Sequence, residues 1–236
     1  MILDRDKVYF HEVSADKLNI PFGEIRRYMG YRKGNDTDGE QLISELLPEV
    51  VRVAAPRASF VVTGIDSCES DIRIGGMSIS SKSLNRNLRG CDTVILLAAT
   101  VGSGADRLIS SYSVKSPASA LAVSAIATAL LESYADFFCS ELKEHFAKDS
   151  LYLRPRFSPG YGDFDLVHQR DFITFTDASR RCGICCTDKL LLTPSKSITA
   201  LAGISDTMTD CPASGCDVCT MYTCRFRRPN GMEETQ

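Results

Sequence analysis

Apolar residues recur along this chain in two rhythms, and the changes between them mark out the elements. Leu18, Ile20, Phe22, Ile25 and Met29 fall at helical spacing, and the run stops at Gly30, so a helix within 15–30 with a glycine C-cap is expected. A polar stretch over 34–39 reads as a loop. From 40 to 54 the apolar positions Leu42, Ile43, Leu46, Leu47, Val50, Val51 and Val53 again keep a helical period, which Pro48 should kink or restart. Residues 59–65 and 71–79 are strand candidates, punctuated by Gly64 and Gly75-Gly76. Ser80 or Ser81 can cap a short helix ending at Arg89-Gly90. The run 93–101 is continuously apolar and bounded by turn residues, which suits a strand buried on both faces.

Ser116-Pro117 places a capping hydroxyl before a first-turn proline, a strong helix start, and the helical pattern continues to about Phe146. Val123, Ile126, Leu130, Tyr134 and Phe137 form its apolar stripe. The other side carries Ala125, Thr128, Ala129, Glu132, Asp136 and Cys139, small residues around two carboxylates one turn apart. After this helix, 154–163 is too rich in proline and glycine for regular structure and reads as an ordered loop. A short helix over 166–172 and a strand over 190–204, divided at Thr193-Pro194-Ser195, follow. There is no repeat at solenoid periods, and no linker precedes Asp210.

Composition narrows the function classes. The chain has 236 residues, 44% of them hydrophobic and 24% charged, ordinary globular values that argue against disorder or a fibrous repeat. Its formal net charge is -3 and its basic residues are scattered, apart from Arg225-Phe226-Arg227-Arg228, so nucleic acid is not expected as a partner. The N-terminal residues lack an apolar signal core. The most apolar long stretch, 116–138, is broken by Ser119, Ser124, Thr128, Glu132 and Asp136, so a buried helix is expected there rather than a membrane span. A cytoplasmic protein follows from these readings. In that compartment ten cysteines mean metal, cofactor chemistry or core packing rather than disulfides.

The segment Arg156-Phe157-Ser158-Pro159-Gly160-Tyr161 is the most informative. It sets a guanidinium and a phenol beside a backbone stiffened by Pro159 and free to turn at Gly160, and can aim main-chain groups and a ring face at a ligand. The plain alternative is a surface loop with a buried tyrosine. This segment resembles the Arg-x-x-Pro-Gly-Tyr signature of the activation domain of cobalamin-dependent methionine synthase, above all its short free-standing form, which continues Gly-Asp as Gly162-Asp163 does here. Val94 to Gly102, Leu131-Glu132-Ser133-Tyr134-Ala135-Asp136 and Leu192-Thr193-Pro194-Ser195-Lys196-Ser197 resemble further family segments in the same order, so that the likeness spans most of 20–205.

The resemblance implies an α+β fold, a twisted mainly antiparallel sheet flanked by helices, over 1–209, with a cysteine-rich C-terminal tail over 210–236. It also implies S-adenosylmethionine bound between the loop and the long helix. The amino-acid end of that ligand carries an ammonium and a carboxylate, so one acid and one arginine are wanted at fixed separation. Glu132 and Arg156 match the family positions for these contacts. Ser158 and Gly160, through the loop backbone, would serve the adenosine, and Tyr161 would pack near the sulfonium. Asp136 is expected to be a neighbour of the site or a surface residue. The implied activity is that of a methyltransferase component: reductive methylation of cobalamin held by a partner methionine synthase or corrinoid protein, with a flavodoxin or ferredoxin as electron donor. The chain shows no cobalamin, homocysteine or folate module of its own. Such chemistry asks the protein for orientation and exclusion of water more than for acid or base catalysis.

The tail departs from the long methionine synthase pattern. Cys211, Cys216, Cys219 and Cys224 are separated by four, two and four residues, and Cys216-Asp217-Val218-Cys219 is a tight chelating pair suited to zinc or an iron-sulfur cluster; free thiols or a redox disulfide are the alternatives. A metal or iron-sulfur electron-transfer module acting on a corrinoid protein is therefore the competing function. Cys185 and Cys186 read as core or incidental, and Cys68, Cys91 and Cys139 as small buried side chains. Gly102-Ser103-Gly104 opens a helix after a strand, but Arg107 stands where a dinucleotide fingerprint needs its third glycine, so a tight turn suffices. His11, His145 and His168 are too scattered for a hydrolytic triad.

Overall fold

The computed structural model describes residues 3–31, 37–67 and 71–207. Strand β1 (Val8–Glu12) leads through a 3-10 turn at Ala15–Lys17 to α1 (Phe22–Met29) and α2 (Thr37–Val53). Strand β2 (Arg57–Ser67), a hairpin of β3 (Ile72–Ile74) and β4 (Met77–Ile79), helix α3 (Lys82–Asn87) and strand β5 (Thr93–Thr100) follow. Helices α4 (Ser103–Lys115) and α5 (Pro117–Ala147) come next, then β6 (Tyr152–Leu153), α6 (Gln169–Phe175) and α7 (Ala178–Cys182). The described chain closes with β7 (Cys185–Cys186), β8 (Leu192–Thr193) and β9 (Ser197–Ser205).

The main sheet runs β4-β3-β2-β5-β9-β6, with β1 also on β2, and every pairing in it is antiparallel. Its middle strand explains the unbroken apolar run. Ile95, Leu97 and Ala99 face a core built with α1, α2 and α5, while Val94 and Leu96 face a second core around Leu84, Phe164 and Phe172. Ala98 meets Ile173, Ala178, Cys182 and Ile184. Side chains alternate across a strand, so only a strand with helices on both faces can be apolar at every position. The expected fold, a mainly antiparallel sheet flanked by helices, is the one observed.

Helix α5 is the spine of the first core. Ser116 caps it by accepting from the Ser119 amide, and Pro117 occupies the first turn. Val123, Ile126, Leu130 and Tyr134 are buried as the stripe predicts, and so are Ala122, Ala125, Ala129 and Ala135. By length and composition this helix would suit a membrane, but 67% of its most apolar stretch is buried inside the protein.

Several boundaries differ from the sequence reading. The helix expected within 15–30 starts only at Phe22, because Pro21 takes the N-cap position. Helix α2 runs through Pro48 without restarting. The strand expected over 71–79 is the β3-β4 hairpin, turned by Gly75 and Gly76 at φ 54° and 89°. In the 190–204 stretch, β8 leaves the main sheet to pair with β7, and only β9 joins β5. Helix α7 and strands β1, β6 and β7 are too short or too polar to have stood out. The appendage expected over 210–236 lies outside the described residues.

Candidate functional site

Four polar residues of α5, Ser124, Thr128, Glu132 and Asp136, fall at intervals of four and so form one stripe along the helix. Ser124 and Thr128 are half-buried. Glu132 is 43% and Asp136 76% exposed. The stripe is thus the side of α5 that the sheet does not cover.

Arg156 arrives from the segment after β6. The Arg154 amide donates to the Gly203 carbonyl, and Phe157 and Leu201 exchange both backbone hydrogen bonds at 2.8 Å, so 154–157 lies extended along the outer edge of β9. Alternate residues of an extended segment point to opposite faces. Phe157 turns into the second core, stacking on Phe164 at 6.2 Å, and Arg156 therefore turns toward α5. Its Nη2 lies 3.2 Å from Glu132 Oε2 and 3.0 Å from Asp136 Oδ1, and its Nη1 3.9 Å from Cys139 Sγ. Burial works against the charge on Arg156, but Cys139, Asp136 and Glu132 more than offset it and raise its pKa. Burial also pushes the Cys139 thiol up, partly opposed by Arg156.

The loop beyond is a closed turn. The Tyr161 amide donates to the Ser158 carbonyl, and Gly160 and Phe164 are joined by a hydrogen bond from the Gly160 amide. Gly160 sits at φ +90°, where a side chain would be strained and would press on Leu166 Cδ1. Asp163 ties the turn to α3: it accepts from the Ser81 hydroxyl and from the Lys82 and Ser83 amides. These bonds, the one from Ser81 foremost, hold its carboxyl well below the usual carboxylate range.

Of the residues singled out beforehand, Glu132 and Arg156 meet directly, and Asp136, expected only beside the site, shares the same guanidinium. Ser158 is half-buried at the start of the turn. Tyr161 is 65% exposed, which removes the plain alternative of a buried tyrosine and leaves its ring open to a ligand or partner. Two residues escaped the sequence reading. Tyr28 of α1 lies within electrostatic reach of Glu132; burial raises its pKa, Arg27 opposes this and Glu132 adds to it, while Arg27 stacks on the ring at 4.2 Å. Lys196, quoted above only as part of a resembling segment, donates from Nζ to Ser124 Oγ and Thr128 Oγ1, each at 2.9 Å. The recoverable signal was the spacing Ser124, Thr128, Glu132, a polar stripe continuing toward the helix start.

Two cavities, of about 350 and 700 Å³, lie elsewhere, one against Arg5, Phe146 and Ser205 and the other against Lys17, Arg52 and Arg57. The α5 stripe lies apart from both, and on it Arg156 closes on Glu132 and Asp136. Cys211, Cys216, Cys219 and Cys224 lie outside the described residues, as does Cys68. Among the described residues no group of three or more His, Cys, Asp or Glu side chains is placed to hold a metal. Cys91 and Cys139 are buried as expected. Cys185 is exposed, and Cys186 is half-buried against the cluster of Ile173, Ala178, Cys182 and Ile184; together they form the short strand β7.

These features define a class by its fold: a seven-stranded antiparallel sheet with helices on both faces and a long central helix that presents charge at one sheet edge. A solved structure of similar fold is the crystal structure of the MetH reactivation domain bound to AdoHcy, at a TM-score of 0.65 and 14% sequence identity, covering 90% of this chain and 82% of that one. No family model matches the sequence, and no curated protein does.

Proposed function

We propose that this chain binds S-adenosylmethionine along the α5 stripe and presents its methyl group to cobalamin held by a partner methionine synthase or corrinoid protein, which it thereby returns to the methylated state. The observation that carries this reading is the meeting of Glu132 and Arg156, an acid and a cation brought together from two elements, with Arg156 three residues before the Pro159-Gly160 turn. Fold likeness to a reactivation domain that binds AdoHcy supports the same choice.

An α-amino-acid end group can exchange for this ion pair without change of net charge. Its ammonium takes Glu132, and its carboxylate takes a guanidinium that Asp136 continues to balance. Such an exchange replaces one charge-assisted contact by two, whereas a neutral ligand would have to break the pair uncompensated. The adenosine has a platform close by. Leu201 bonds outward to Phe157, so Thr199, two residues earlier, presents its backbone to the same side, where no strand pairs with β9 among the described residues. Ser158 and the Gly160 backbone adjoin that open edge. Tyr161, exposed, can turn its ring toward the sulfonium, a contact worth roughly 0.5 to 2 kcal/mol.

The partner's cobalamin would supply the nucleophile for the methyl group and a flavodoxin or ferredoxin the electron that makes it nucleophilic. The residues of this chain bind, orient and exclude water; no proton has to be moved by them. Titration calorimetry with S-adenosylmethionine tests the reading. Binding by the unaltered protein, weakened tenfold or more in Glu132→Ala and Arg156→Ala, is expected; no binding, or equal binding by all three, would reject it.

A further inference from the structure

Lys196 is the charged group at the stripe that the ion pair leaves unexplained. Its backbone is fixed on both sides. The Lys196 carbonyl accepts from the Val101 amide and the Thr100 hydroxyl, each at 3.1 Å. The preceding Ser195 donates from its amide to Asp106 Oδ2 at 2.8 Å and from its hydroxyl to Oδ1. The side chain consequently has one course, across the start of the stripe to Ser124 and Thr128.

An ammonium has three N–H donors. Two are taken by hydroxyl oxygens, which are neutral and offer no counter-charge. No carboxylate among the described residues lies within 4.0 Å of Nζ, since Lys196 enters none of the ion pairs there. Asp106, whose charge reaches it, is already engaged by Ser195. Burial lowers the pKa of Lys196, with Asp106 opposing. A half-buried cation without a counter-ion is costly to keep, and a group so perturbed marks a candidate contact for a ligand of opposite charge.

The position along α5 says which charge. Thr128 and Glu132 are four residues apart, so about 6 Å separates the turn that holds the ammonium of Lys196 from the turn that holds the carboxylate of Glu132. An α-amino-acid head group, whose ammonium and carboxylate are adjacent, can bridge two groups one turn apart with a charge-assisted hydrogen bond at each end. The ammonium of the head group then lies on Glu132 and its carboxylate faces Lys196. Arg156 approaches the same carboxylate from the opposite flank, and a carboxylate has two oxygens to offer.

We infer that Lys196 is a specificity-determining residue of the site, which selects ligands carrying an α-amino-acid carboxylate by contacting the carboxylate oxygen that Arg156 does not. This rests on the reading of the stripe as an S-adenosylmethionine site. It adds that a ligand with the same adenosine, sulfonium and ammonium but no carboxylate is rejected chiefly through Lys196, because such a ligand covers the Lys196 ammonium without bringing it a counter-charge.

The experiment is a comparison of two ligands on the full chain, S-adenosylmethionine and its decarboxylated analogue, by titration calorimetry with the unaltered protein, Lys196→Met and Lys196→Gln. The glutamine variant retains a donor for Ser124 and Thr128, and thermal melts establish that each variant is folded. The unaltered protein is expected to prefer S-adenosylmethionine at least tenfold. Both variants are expected to lose most of that preference by weaker binding of S-adenosylmethionine, with the analogue bound as well as before or better. A preference undiminished in both folded variants would overturn the role of Lys196 while leaving the site reading intact. Absence of S-adenosylmethionine binding by the unaltered protein would overturn both.

Discussion

Arg156 and Glu132 stand 24 positions apart in the chain and meet at 3.2 Å, one from the segment along the edge of β9 and the other from the middle of α5. The contact depends on an alternation: Phe157 enters the second core, so its neighbour must turn the other way. Arg156 also holds Asp136, and two carboxylates one turn apart on a helix repel weakly. Replacing Arg156 by methionine therefore releases only a partly exposed network, and stability should fall by about 1 kcal/mol or less. Ligand affinity should fall tenfold or more in the same variant, so that chemical denaturation and calorimetry separate the two roles.

Asp163 is a structural acid whose loss should act on the loop. It satisfies two amides at the start of α3 together with the capping Ser81 hydroxyl. Asp163→Ala should cost about 1 kcal/mol, as removal of a capping group does. Its pKa is lowered in the folded protein, so its contribution is present above the unfolded value of about 3.9 and lost as pH falls through the folded value. Denaturation midpoints of the unaltered protein should consequently fall below about pH 4 more steeply than those of Asp163→Ala.

Gly104 stands where α4 approaches the end of α2 most closely. A Cβ there would overlap the Val53 carbonyl oxygen at the end of α2, backbone against backbone, with no flexible side chain to yield. Gly104→Ala should destabilise the fold by roughly 2 to 3 kcal/mol, whereas Ser103→Ala on the exposed first turn of α4 should change it by about 0.5 kcal/mol or less, both measured by chemical denaturation.

The cysteine tail makes a separate prediction from its spacing alone. We expect the purified chain to carry a tightly bound metal, zinc or an iron-sulfur cluster, that Cys216→Ser and Cys219→Ser remove. Elemental analysis and the visible spectrum of anaerobically prepared protein distinguish the two. If both variants retain the full metal content, the four-thiolate assignment fails.

What could be read from the sequence followed periodicity and caps. Helix α5, with Ser116-Pro117 at its start, and strand β5, apolar from Val94 to Ala99, stood out because each is long and keeps one rhythm. The β3-β4 hairpin and the departure of β8 did not, because two or three residues are too few to establish a period. The candidate site was legible only in part. Glu132 and Arg156 came from a resemblance in residue order, and nothing in their spacing showed that they would touch. Lys196 was hidden because its significance lies in what surrounds Nζ: two hydroxyls from a helix some 70 positions away and, among the described residues, no carboxylate within ion-pair distance. Tyr28 was hidden for the same reason, since α1 packs on α5 only in the folded chain.

The most direct test of the central claim is a crystal structure of the protein with S-adenosylhomocysteine. The ligand's ammonium is expected within hydrogen-bonding distance of the Glu132 carboxylate, its carboxylate facing Arg156, and the direct contact between those two side chains opened. Ligand bound elsewhere, or an Arg156-Glu132 contact unchanged beneath a ligand that touches neither, would contradict it.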